Sequence, residues 1–157
     1  MTQTTIATDG THEALAALRA MVAIADSTVE SVVEQLTLTQ FRTLRTVAEK
    51  NPITMSAVAQ ELAINPSTVT RAGEKLVALG LLQRARNPLN KREMLLAATA
   101  EGRRIIARVD TDRRQILSAI MQQLDERTRA AVAAAFERFA AAAATVSPSA
   151  AVDHSSV

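Results

Sequence analysis

The sequence predicts a mainly α-helical protein with one short β-hairpin set into it. Three observations carry this expectation. Apolar residues recur at spacings of three and four through most of the chain, the period of one face of an α-helix. Cap residues and prolines stand where these periodic stretches begin and stop. One stretch, 82–98, loses the helical period and has an Asn-Pro turn near its middle.

Residues 1–10 have no usable period and are expected to be disordered, as is the polar tail 147–157. Between 11 and 36, Leu15, Leu18, Met21, Val22, Ala25, Val29, Val32 and Val33 mark a long amphipathic helix. A second helix has Thr37 or Thr39 as its cap, turns Phe41, Leu44 and Val47 inward, and closes before Pro52. A short third helix follows Thr54, with Val58, Ala59 and Leu62 as its stripe. The next stretch, "NPSTVTRAGEKL", has a good cap in Asn65, and Pro66 suits the first helical position because its missing N–H has no partner there. Val69, Ala72, Leu76 and Leu79 form its apolar stripe, and Gly80 ends it. Its other side carries Ser67, Thr68, Arg71 and Lys75, with Thr70 beside them.

In 82–98, Leu82–Arg86 and Arg92–Ala98 read as two short strands around "NPLNK". Thr99 can cap a long helix through Ile105, Val109, Ile116 and Ile120 to Leu124, and Asp125 can cap a last one. The second half of that last helix, "AAFERFAAAAATV", is apolar nearly all round, which a small domain cannot hide alone, so a partner subunit is its natural cover.

Bulk properties narrow the function classes. The chain has 157 residues and 48% hydrophobic content, enough for one core plus a dimerisation element. With three Phe and no Trp or Tyr, it lacks the aromatic platform that single-stranded nucleic-acid binders stack bases on. The absence of Cys removes disulfides, thiolate nucleophiles and cysteine redox sensing. The net charge of +2 is small but unevenly distributed. From Asn65 to Glu93, Arg71, Lys75, Arg84, Arg86, Lys91 and Arg92 face only Glu74 and Glu93, whereas 11–35 is acidic. The first thirty residues lack a signal-peptide pattern and no apolar run is long enough to span a bilayer, so a cytoplasmic protein without a membrane partner is expected.

A short helix, the turn 63–65 and a polar-faced second helix make a helix-turn-helix, and the basic hairpin after it makes a wing. A major groove about 12 Å wide admits one α-helix, so hydroxyls and Arg at its exposed N-terminal end can reach base edges while wing cations meet phosphate. The candidate DNA-binding residues are Thr54, Ser56, Ser67, Thr68, Thr70, Arg71, Lys75, Arg84, Arg86, Asn90, Lys91 and Arg92. A solvated helix face, a protein-interaction scaffold and a non-specific architectural DNA binder are the alternatives. His12 and His154 stand near opposite chain ends, no cluster has metal spacing, and Asp110 at helical spacing from Arg113 and Arg114 reads as an ordinary ion-paired face. No catalytic, metal or cofactor site is expected.

From Leu36 to Ile106 the sequence resembles the MarR family of transcription regulators. "STVTR" at 67–71 meets the family's recognition-helix pattern, and Asn90-Lys91-Arg92 meets its wing Asp-Arg-Arg in part. The resemblance implies a winged helix-turn-helix lobe over 37–99, with recognition helix 65–79 and wing 82–98, between dimerisation helices at 11–36 and 100–146. It further implies a homodimer that acts as a repressor on a pseudo-palindromic operator and is released by a small aromatic or lipophilic effector. Met21, Phe41, Leu44 and Ile105 are the side chains that would face an effector crevice, though each reads first as plain core.

Overall fold

The computed structural model describes residues 10–32, 36–90 and 93–146. Its elements are α1 (Thr11–Val32), α2 (Leu38–Glu49), β1 (Ile53–Thr54), α3 (Met55–Leu62), α4 (Pro66–Ala78), β2 (Leu82–Arg86), β3 (Met94–Ala98), α5 (Ala100–Gln122) and α6 (Glu126–Ala143). The chain forms two compact units, 1–114 and 115–157. The sequence expectations for 1–9, for Val33 and for 147–157 lie outside the described residues.

Caps set the boundaries within the first unit. Thr37 caps α2 by a reciprocal pair: its hydroxyl accepts from Gln40 N–H, and its own N–H donates to Gln40 Oε1 at 3.0 Å. Thr54 Oγ1 accepts from Ala57 N–H to start α3. α3 ends on Ala63, which takes a left-handed φ of 51° and lets Ile64 N–H reach back to Ala59 O at 3.2 Å. That sharp end leaves a three-residue turn, 63–65, whose last residue, Asn65, caps α4. α4 closes through Gly80, whose φ of 71° suits a residue without Cβ.

The hairpin is present, but the sheet has three strands rather than two, in the order β1-β3-β2 and all antiparallel. β1 contributes Ile53 opposite Leu96 and Thr54 opposite Leu95. Two residues are too few to show a period in sequence, and their pairing partner stands more than forty positions away.

One core serves the unit. Phe41, Leu44 and Val47 of α2 meet Val58 and Ala59 of α3, Val69 and Leu76 of α4, Leu81, Leu82 and Leu96 around the sheet, Val29 of α1 and Val109 of α5. Each fully buried Leu or Val here is worth about 1.5–3 kcal/mol relative to exposure. Close backbone approach fixes two of the crossings. Gly102 of α5 lies against the Leu81 carbonyl, and Gly73 of α4 lies against the Met55 side chain of α3.

α1, α2 and α5 are also tied by charge. Asp110 forms its direct ion pair with Arg45 of α2, not with Arg113 or Arg114 as helical spacing suggested. Arg113 instead donates to Thr28 Oγ1 and Ala25 O of α1, each at 3.1 Å. The guanidiniums of Arg45 and Arg113 stand 5.2 and 5.0 Å from the Phe41 ring centroid. Burial, then the nearby Arg45 charge, lowers the Arg113 pKa, and Asp110 opposes that shift.

In the second unit, Asp125 caps α6 by accepting from the Thr128 hydroxyl and from Thr128 N–H at 3.0 Å, and these two bonds, the hydroxyl's first, hold its carboxyl below the usual range. Arg129 donates to the carbonyls of Met121 and Leu124, occupying acceptors that the end of α5 leaves without helical donors. α6 itself buries no residue.

The two close-packed glycines should respond differently to an added methyl. A Cβ at residue 102 would strike the Leu81 carbonyl and crowd Leu44 Cδ1 at 3.1 Å, whereas one at residue 73 would meet only the end of the Met55 side chain. Gly102→Ala should therefore cost about 1–3 kcal/mol. Gly73→Ala should stay within about 1 kcal/mol of the parent, because the better helix propensity of Ala offsets the displaced thioether. Urea midpoints of the two variants check this, and equal midpoints would contradict it.

Candidate nucleic-acid interface

α4 separates its residues by face. Val69 and Leu76 are fully buried, and Ala72 and Gly73 nearly so, while Ser67, Thr68, Thr70, Arg71, Glu74 and Lys75 are exposed. The stripe fixes the roll of the helix about its axis and therefore determines which side chains meet solvent.

Exposure does not make these groups equivalent. Ser67 Oγ donates to the capping oxygen of Asn65 at 2.7 Å, and Ser67 N–H donates to the same oxygen at 2.9 Å. Thr70 Oγ1 donates to Pro66 O at 2.9 Å. Both hydroxyl protons are thus used inside the helix, leaving lone pairs to accept with. Thr68 and Arg71 make no side-chain bond to another described residue. They are the groups most available to an incoming partner.

At the start of α3, Thr54 is half-buried and occupied as a cap, and its hydroxyl lies 3.2 Å from Ser56 Oγ. Thr54, Met55 and Ser56 line one cleft with Pro66 and Thr70 of α4 and Glu93 and Met94 at the wing, so the starts of both helices and the wing border a common surface. On the wing, Arg84 and Arg86 are exposed on β2. Asn90 is exposed, and its carbonyl accepts from Glu93 N–H at 2.9 Å. Lys91 and Arg92 lie outside the described residues.

Sequence reasoning missed the lock at the wing base. Asn87 Nδ2 donates to Glu93 Oε2 at 3.0 Å, and Asn87 N–H donates to Glu93 O at 3.0 Å. The wing's one acidic residue is therefore held by a neutral amide. An Asn six residues before a Glu across an Asn-Pro turn was the available signal.

The four side chains expected at an effector crevice are not alike. Phe41 and Leu44 are closed into the core at 1% and 0% exposure. Inward-facing period alone cannot tell the wall of a cavity from the middle of a core. Ile105 is half-buried against the same core, and Met21 is exposed on α1. Among the described residues no His/Asp/Glu group could hold a metal ion, and no helix is long and apolar enough to cross a membrane.

Comparison with known proteins converges on one group. The MarR family model matches residues 36–94, from just before α2 to the first residue of β3. The HTH-type transcriptional regulator YhjH of Bacillus subtilis is 31% identical over 71 residues, 45% of this chain and 41% of that protein, so the match spans less than half the length of this relative. The crystal structure of RV1404 from Mycobacterium tuberculosis is similar over 88% of this chain and 94% of its own, with 31% identity and a TM-score of 0.79. A MepR variant of S. aureus, bound to an oligodeoxyribonucleotide, shares the fold over 84% of this chain and 96% of its own, with 17% identity and a TM-score of 0.67.

Proposed function

Because this chain belongs to the MarR family of transcription regulators, which are not enzymes, we propose that it acts as a homodimeric repressor on a pseudo-palindromic DNA duplex. One observation carries the proposal. The α4 face that the core forces outward presents Thr68 and Arg71 uncommitted, beside a wing with Arg84 and Arg86. In this account the N-terminal half of α4 enters the major groove, where Arg71 meets a base edge or adjoining phosphate. Ser67 and Thr70, their protons committed, accept from base amino groups or bound water. Arg84 and Arg86 neutralise phosphate, joined by Lys91 and Arg92 of the same hairpin sequence. The fold shared with a MepR variant bound to an oligodeoxyribonucleotide supports DNA as the partner.

Dimerisation rests on apolar surface within each unit. α1 exposes Leu15, Leu18, Met21 and Val22 at helical spacing. Separately, the end of α5 exposes Leu117 and Ile120, and α6 exposes Phe136 and Phe139. Surfaces of this kind on a soluble chain mark association sites. Family membership extends the proposal to release by a small aromatic or lipophilic effector. Phe41 and Leu44 are committed to the core, so contact with such a molecule falls to other side chains.

Two measurements test these proposals. Sedimentation at micromolar concentration should find a dimer; a folded monomer would overturn the assembly. Gel shifts at about 150 mM salt against random competitor should find a duplex that survives competition. On that duplex Arg71→Ala should lose about 1–3 kcal/mol and narrow the gap to random DNA. Arg86→Ala should weaken both duplexes alike and lower the salt slope by about one unit. Parental behaviour of Arg71→Ala on both would refute base reading by this face, and equal loss on both would reduce Arg71 to a phosphate contact.

A further inference from the structure

The outward face of α4 holds one group that a surface for a polyanion should reject on charge. Glu74 is exposed and forms no hydrogen bond or ion pair with another described residue. Arg71, one turn earlier, carries the opposite charge, yet the two are not paired. Folding gives no reason for the carboxylate either. Glu74 stands in the second half of the helix, away from the first turn, where the helix dipole favours an anion.

Its position on the helix is central rather than peripheral. Successive residues turn about 100° around the axis, so Ser67, Arg71, Glu74 and Ala78 follow one line opposite the buried stripe of Val69, Ala72, Gly73 and Leu76. Thr68 and Lys75 flank that line on one side and Thr70 on the other. In a groove, flanking side chains approach the phosphate walls, whereas the central line approaches the floor. The small side chain of Ala78, one turn on, leaves the end of the line open beyond Glu74.

We infer that Glu74 reads a cytosine in the major groove, at the base pair next to the one that Arg71 meets. The inference rests on the duplex-binding proposal above and adds a base identity that the cations of the face do not supply. An ionised carboxylate only accepts hydrogen bonds. Guanine offers acceptors alone along its major-groove edge, and thymine an acceptor and a methyl group. Adenine sets its amino donor beside the N7 acceptor, which repels the second carboxylate oxygen, whereas cytosine presents its N4 amino group without one. Arg71 and Glu74 are separated by an axial rise of about 4.5 Å, on the order of one base-pair step. Any other base there leaves the carboxylate desolvated without a donor and close to phosphate, so the same residue holds down affinity for random DNA.

The probe is a duplex selected from a randomised library by the parental protein, with each base pair of a half-site replaced in turn. The parent should lose about tenfold in affinity when one particular C·G pair is changed, the scale of a single specific base contact. Glu74→Ala should abolish discrimination at that pair alone and bind random DNA more tightly than the parent does. Glu74→Gln should prefer A·T there, because an amide matches adenine N6 and N7. A Glu74→Ala protein that keeps the parental preference at every pair overturns the inference, even if it binds all DNA more tightly, since the carboxylate would then only repel phosphate. A Glu74→Gln protein that still prefers cytosine overturns it as well. If Arg71→Ala loses specific affinity while both Glu74 variants keep the parental preferences, cytosine reading fails and duplex reading by α4 stands. If the library yields no selected duplex, both fail.

Discussion

The buried stripe of α4 is the constraint on which the candidate interface depends. Val69 and Leu76 are fully enclosed by α2, α3 and the sheet, and Gly73 lets α3 approach closely through Met55. Rolling α4 by one residue, about 100°, would expose Val69 or Leu76 and forfeit several kcal/mol of apolar burial. Thr68 and Arg71 therefore face solvent because the core leaves them nowhere else. Asn65, Pro66 and Ser67 fix where the helix begins, and with it the height at which these side chains emerge. Packing, rather than polar contacts among the surface residues, organises the face that meets DNA in this account.

A second set of interactions connects that lobe to α1 and α5. Arg45 pairs with Asp110, Arg113 bonds the α1 backbone and Thr28, and both guanidiniums lie over Phe41. One carboxylate serves two arginines here, and Arg45 also stands 3.8 Å from Glu49. The lowered Arg113 pKa records the cost of burial and of a neighbouring like charge, but a guanidinium remains protonated at physiological pH. Phe41 is thus a core residue with a polar neighbourhood, which explains why its sequence position suits either a core or a binding wall.

Local chemistry made much of the fold legible in sequence. Asn65-Pro66, Thr54 and Asp125 act as the helix starts their residue types suggested, and the α4 stripe follows the period of three and four. Distant pairings were not legible. β1 is two residues long and is defined only by its contact with β3, and Asp110 finds Arg45 across 65 positions, whereas the sequence pointed to neighbours one turn away. At the candidate interface, the exposed hydroxyls of α4 could be named from spacing, but not that Ser67 and Thr70 spend their protons on Asn65 and Pro66. Such commitments depend on rotamers, which residue type does not fix. The Asn87–Glu93 lock likewise emerges only when the turn is closed.

The central claim is that the outward face of α4 lies in a major groove. The chain has no cysteine, so Thr68→Cys supplies a single attachment point for an iron chelate on that face. Cleavage of the selected duplex by the tethered iron reports where residue 68 sits. The account requires two symmetric patches of strand cleavage with a major-groove offset, about ten base pairs apart or a multiple of that spacing. Even cleavage along a duplex that the labelled protein still binds specifically would contradict it, because α4 would then lie outside the groove.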